Sequence, residues 1–147
     1  MRKPRSTAGW TIAVFGVLAL LMGAAGLARP ELLLTLLGFE VIPAAQRADG
    51  DFTRTFLYAS SMASFNMGVY YLVAAHTEWR AFYRFTVWFR LLTFSVFTLV
   101  VVFGVAPVMF LGVAVWEGLG AVATAVGLRR DGRSLPAAAP EAVRSDA

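Results

Sequence analysis

"APVMFLGVAVWEGLGAVATAVGL", residues 106–128, is an apolar run interrupted by a single ionisable residue, Glu117. A helix rises about 1.5 Å per residue, so about 20 mostly apolar residues cross roughly 30 Å of hydrocarbon, and this run is long enough. Three further stretches meet the same requirement: Trp10–Ala28, Phe56–Ala75 and Phe82–Gly104. The second is more polar but uncharged, and the third becomes apolar near Phe85. Pro107 falls in the expected first turn of the last run, where its missing N–H costs little.

Composition agrees with that reading. Of 147 residues, 59% are hydrophobic and 15% charged, whereas soluble domains lie nearer half and a quarter. The charges crowd into the ends and connections rather than lining one face of each helix. The expected fold class is therefore all-α, an integral membrane four-helix bundle. A net charge of +4 brings no basic stripe interleaved with aromatics, so nucleic acid is not an expected partner. The absence of cysteine excludes disulfides, thiol redox chemistry and Cys-ligated metals. His76 is the only histidine, so no haem can sit between two histidines of one chain, and no His-rich metal site can form. No metal ligand set and no cofactor is implied.

Lysine and arginine set the expected orientation. The N-terminal segment 1–9, the connection carrying Arg80 and Arg84, and the tail 129–147 together hold nine. The opposite side holds three, Arg29, Arg47 and Arg54, offset by Glu31, Glu40, Asp49 and Asp51. Both termini are thus expected in the cytoplasm, with the protein multi-pass in a bacterial inner membrane. The first run is longer than a signal-peptide core and ends without a clear cleavage site, so it reads as a retained helix. Within 10–128, "RPELLLTLLGFEVIP" after the first span is too short to cross and too apolar to float in water. It reads as an interfacial or re-entrant helix started by Pro30 and stopped by Pro43. Asp49-Gly50 marks a turn. The tail is Ala, Pro and charge without apolar periodicity and reads as disordered.

Counting residues from the turns gives the depth of the polar groups inside the spans. Asn66 precedes the His76–Arg80 connection by ten residues and Arg90 follows it by ten, which puts each about 15 Å along its helix. Measured from the turn at Val105-Ala106, Arg90 and Glu117 differ in depth by about 6 Å, within reach of an arginine. Asn66, Arg90 and Glu117 are thus expected as one polar cluster, either a structural pair fixing helix register or the floor of a pocket. The remaining alternative is that Arg90 snorkels toward the cytoplasm and never meets Glu117. Tyr70, Phe94 and Phe97 are the aromatic candidates for lining that pocket. Ala114, Gly118, Gly120 and Ala121 let a neighbouring helix come close, and Ser60, Ser61 and Ser64 read as packing contacts.

Four short-looped spans, a proline-started segment after the first, and "RLLTFSVFTLVVVFGVAP…WEGLGAVATAVGLR" together resemble the small bacterial DoxX-like membrane proteins, including the BphX-like group. The likeness covers most of residues 10–128 and implies a four-helix bundle with little stated chemistry. Small multidrug exporters also have four spans, but carry a carboxylate in the first, where this chain has none. Hydrolase, zinc-protease, Walker and dinucleotide motifs are absent. The leading expectation is a non-enzymatic accessory or scaffold protein of unassigned molecular function. The alternatives are a binder of a lipid or small hydrophobic ligand, or an isomerase-like enzyme using Glu117 as acid or base. Expected partners are the bilayer, a hydrophobic small molecule or lipid, and a membrane protein or second copy of the chain.

Overall fold

The computed structural model describes residues 3–133, so residues 134–147 of the expected tail lie outside the described residues. Five α-helices follow one another: α1 Thr7–Ala28, α2 Pro30–Leu36, α3 Thr53–Thr77, α4 Arg80–Val102 and α5 Leu111–Arg133. Short 3-10 turns lie at Ala44–Gln46 and Val108–Phe110, and no strand occurs among the described residues. Three helical stretches are long and apolar enough to cross a membrane: Thr7–Ala28, Arg80–Val102 and Val108–Gly132. At 25 residues α3 has the length, but it falls outside that group, since its serines, Asn66, tyrosines and Arg54 dilute its apolar content.

The helix ends follow local chemistry rather than the limits of the apolar runs. Ser6 caps α1 by accepting the Gly9 N–H at 2.9 Å, so the helix begins before Trp10. The segment after α1 starts at Pro30 as expected but stops at Leu36, well short of Pro43. Gly38, at φ +77°, takes the left-handed position there. Gly38 N–H then reaches Thr35 O and Phe39 N–H reaches Leu34 O, which closes the helix. Gly104, at φ +71°, ends α4 in the same way. Pro107 then adopts extended backbone, and α5 starts only at Leu111 rather than at Ala106. At its other end α5 runs on to Arg133, into the first residues of the expected tail.

Packing order differs from chain order. α3 lies along α1, α1 along α5, and α5 along α4, while the sequence neighbours α3 and α4 touch little. The α1–α3 seam depends on small residues. A Cβ on Gly23 would lie 2.5 Å from Phe65 N, and one on Gly68 would lie 2.6 Å from Leu20 N. With backbones this close, the Ser64 hydroxyl donates across the seam to Ala19 O at 2.9 Å.

The end of the molecule that carries residues 3–8 and 129–133 is closed by two carboxylates. Asp131 accepts the Thr7 and Ala8 N–H groups, one on each oxygen, both at 2.9 Å. Glu78 accepts the N–H groups of Arg5 and Ser6 and the Ser6 hydroxyl. The N–H groups of Ser6, Thr7 and Ala8 are donors that the start of a helix leaves without intrahelical partners, at the positive end of its dipole. Glu78 reaches them from the left-handed position of the α3–α4 turn, φ +52°, which non-glycine residues seldom occupy.

Candidate functional site

Helical periodicity decides which polar residues turn inward. On α4 the buried residues are Tyr83, Thr86 and Arg90, one stripe along the helix. On α5, Ala114, Ala121 and Thr124 are buried and Glu117 lies on the same stripe. These stripes meet. Arg90 Nε donates to Glu117 Oε2 at 3.0 Å, with the two side chains 3% and 16% exposed. The expected pair between these helices is therefore present in the structure.

Asn66 does not join it. The inward stripe of α3 is Ser61, Gly68, Tyr71 and Ala75, whereas Met62 and Tyr70, one turn either side of Asn66, are exposed. Asn66 is half-buried on that other side of α3, and among the described residues it supplies no hydrogen bond to the pair. Counting residues from a turn fixes depth but leaves rotation free, and rotation is what separates them.

The guanidinium of Arg90 is held between two faces. Its Cζ lies 3.6 Å from the centre of the Phe15 ring, a cation–π contact from α1. A Cβ on Gly120 would lie 1.6 Å from Arg90 Nη2, so only glycine leaves room for the group against α5. Phe15 stacks on Trp116 with centroids 5.6 Å apart and meets Tyr71 at 5.0 Å. The Tyr71 and Thr86 hydroxyls are hydrogen-bonded to each other, which ties α3 to the Arg90 stripe. Within this cradle the ion pair uses only Nε. Nη1 and Nη2 are buried and have no hydrogen-bond partner among the described residues.

A groove of about 370 Å³ opens beside them between α1 and α5. Trp10, Val14 and Phe15 form one wall, with Trp116, Leu119 and Ala123 opposite, and among the described residues Arg90 is the only charged one in its lining. The aromatic residues expected to line a pocket are elsewhere. Phe94 packs against Gly118, Phe97 meets the Phe110 ring at 5.0 Å, and Tyr70 is 56% exposed on α3. A second cavity, about 320 Å³ beside Trp79 and Phe85, carries no charged residue.

Sequence reasoning missed Phe15, Trp116 and the particular role of Gly120. Gly120 was visible as a small residue three positions after Glu117, but its neighbour could not be named from the sequence. Chemically the site offers a fixed, charged donor group beside an apolar groove. No family model matches this chain, and no curated protein or solved structure matches it either.

Proposed function

We propose that the chain is a multi-pass inner-membrane protein, a bundle of four long helices with both termini cytoplasmic, and that it binds a hydrophobic molecule in the α1–α5 groove. One observation carries this reading: two nitrogens of buried Arg90 have no partner among the described residues, beside a groove whose other lining is apolar apart from Thr11. A buried donor without an acceptor costs about 1–3 kcal/mol, more for a charged group, and native proteins seldom leave one so. Nη1 and Nη2 have almost no accessible surface, so a ligand bearing an acceptor oxygen would satisfy them once the groove wall yields, while its apolar body covers Trp10, Val14 and Leu119. The bundle and its orientation are supported by three membrane-length apolar helices, by α3 packed along α1, and by the bias of Lys and Arg toward one side.

Native mass spectrometry of the protein in mild detergent tests the reading. Wild type should retain a co-purified apolar molecule that is lost from Ala123→Phe, a variant that fills the groove from an exposed position. If wild type and Ala123→Phe carry the same molecules, or none, the groove is ordinary lipid-facing surface. An accessory or scaffold role acting through the helix surfaces would then replace ligand binding.

A further inference from the structure

This inference rests on the groove-binding reading and specifies the chemistry of the ligand. We propose that the ligand is an uncharged carbonyl compound, whose carbonyl oxygen accepts hydrogen bonds from Nη1 and Nη2 of Arg90.

Charge balance carries the argument. Glu117 Oε2 lies 3.0 Å from Arg90 Nε, an ion pair in which the carboxylate already balances the guanidinium. Among the described residues the groove has no second cation, because Arg90 is the only charged one lining it. A carboxylate or phosphate placed there would add a negative charge beside Glu117 without a counter-ion, in surroundings where unpaired charge is expensive. A carbonyl oxygen adds two lone pairs and no charge, which is what the remaining N–H groups lack.

Depth and size narrow the class. Arg90 lies ten residues into α4, about 15 Å from its start and about 8 Å beyond Phe85, where the stretch becomes apolar. The ester carbonyls of bilayer phospholipids belong to the interface and would have to move inward by about that distance to meet Arg90, whereas a free carbonyl compound can lie at its level. The groove, at about 370 Å³, is at the lower end of the roughly 300–1,000 Å³ found for small-molecule sites, and it admits a ring or a chain segment rather than a diacyl lipid.

Quenching of tryptophan fluorescence by brominated probes tests the proposal directly. Trp10 and Trp116 line the groove, whereas Trp79 and Trp88 lie outside it and would be replaced by Phe. The detergent-solubilised protein is titrated at pH 8 with dibromostearic acid, its methyl ester, or a phosphatidylcholine with brominated chains. The ester should quench saturably, at a concentration at least tenfold below that required for the acid or the phospholipid. Arg90→Gln should weaken ester binding at least tenfold. Glu117→Gln leaves the guanidinium uncompensated and should reverse the order, so that the acid binds more tightly than the ester. A merely unfolded variant would lose both probes, and in that case the wild-type order alone decides.

Tighter binding of the acid than of the ester by wild type overturns the neutral-ligand inference and leaves the groove reading standing. Saturable quenching by the phospholipid at the ester's concentration overturns the choice of a free carbonyl compound. Quenching by every probe that is linear and unchanged in Ala123→Phe overturns the groove reading itself.

Discussion

The two carboxylates at the terminal end and the guanidinium midway along the helices are both polar groups held by several helices, but they are completed to different degrees. Asp131 and Glu78 together accept from Arg5, Ser6, Thr7 and Ala8, so the exposed start of α1 is provided with acceptors. Arg90 is buried more deeply, yet it spends one nitrogen on Glu117 and leaves two without partners among the described residues. Where only the closure of the fold is at stake, donors and acceptors are matched. The mismatch occurs beside the groove, and local rules are most often broken at functional sites.

The largest effect should come from breaking the central pair. Arg90→Gln or Glu117→Gln alone strands a buried charge and should lower stability by about 3–5 kcal/mol, read as thermal unfolding in detergent. Exchanging the two residues should recover only part of that loss. The Phe15–Gly120 cradle fits a guanidinium arriving from α4, not one arriving from α5. Full recovery would mean that the cradle contributes nothing and that Coulomb attraction alone fixes the helices.

Gly120→Ala tests the cradle with both charges kept. Its Cβ would collide with Nη2, so Arg90 must shift, at a cost on the order of 1–3 kcal/mol. The variant should also lose any molecule retained by the wild type. Unchanged stability together with unchanged retention would show that Arg90 is not confined as described.

At the terminal end, Asp131→Ala or Glu78→Ala should each cost about 1 kcal/mol, the usual value of a helix-capping acceptor. The contribution of Glu78 should also depend on pH. Burial works to raise its pKa, but the Ser6 hydroxyl and the Arg5 and Ser6 N–H groups outweigh it and hold the carboxyl below its ordinary 4.5. A depressed folded-state pKa stabilises fully above the unfolded value and is lost as the pH falls through the folded value. Wild type should therefore lose stability on acidification below about pH 4.5, and Glu78→Gln should lose less over the same window. An identical acid response in the two proteins would remove Glu78 from the lock.

Asn66→Ala should have the smallest effect, within about 0.5 kcal/mol, with ligand retention unchanged, because its side chain is off the inward stripe of α3. A drop as large as that of Glu117→Gln would place Asn66 in the central cluster after all.

Much of this contrast could be read from residue spacing. The apolar runs located the long helices, and counting from the turns brought Arg90 opposite Glu117. Helix rotation was harder to infer, because a count along the chain carries no information about facing. The signal for it lies in the small residues. Gly9, Gly16 and Gly23 recur every seven positions on α1, as Ser61, Gly68 and Ala75 do on α3, and all six are buried. Those two rows define the α1–α3 seam and turn Asn66 away from the centre. The late start of α5 escaped detection for a different reason. Gly104 closes α4 and Pro107 holds extended backbone, so hydropathy continues through a segment that is not helical. The unfilled nitrogens of Arg90 depend on a ring from α1 and a glycine from α5, a three-helix coincidence that no single stretch encodes.

The grip of Asp131 on Thr7 and Ala8 has a mechanical consequence for the groove. α1 and α5 run antiparallel from that joint, with the hydroxyls of Thr11 and Thr124 hydrogen-bonded at 3.0 Å just beyond it. The two helices thus resemble tongs riveted at one end, with Trp10 and Ala123 nearest the rivet and Phe15 and Trp116 farther along the blades. A pivot at Asp131 would part the blades most beyond Trp116 and least beside Trp10.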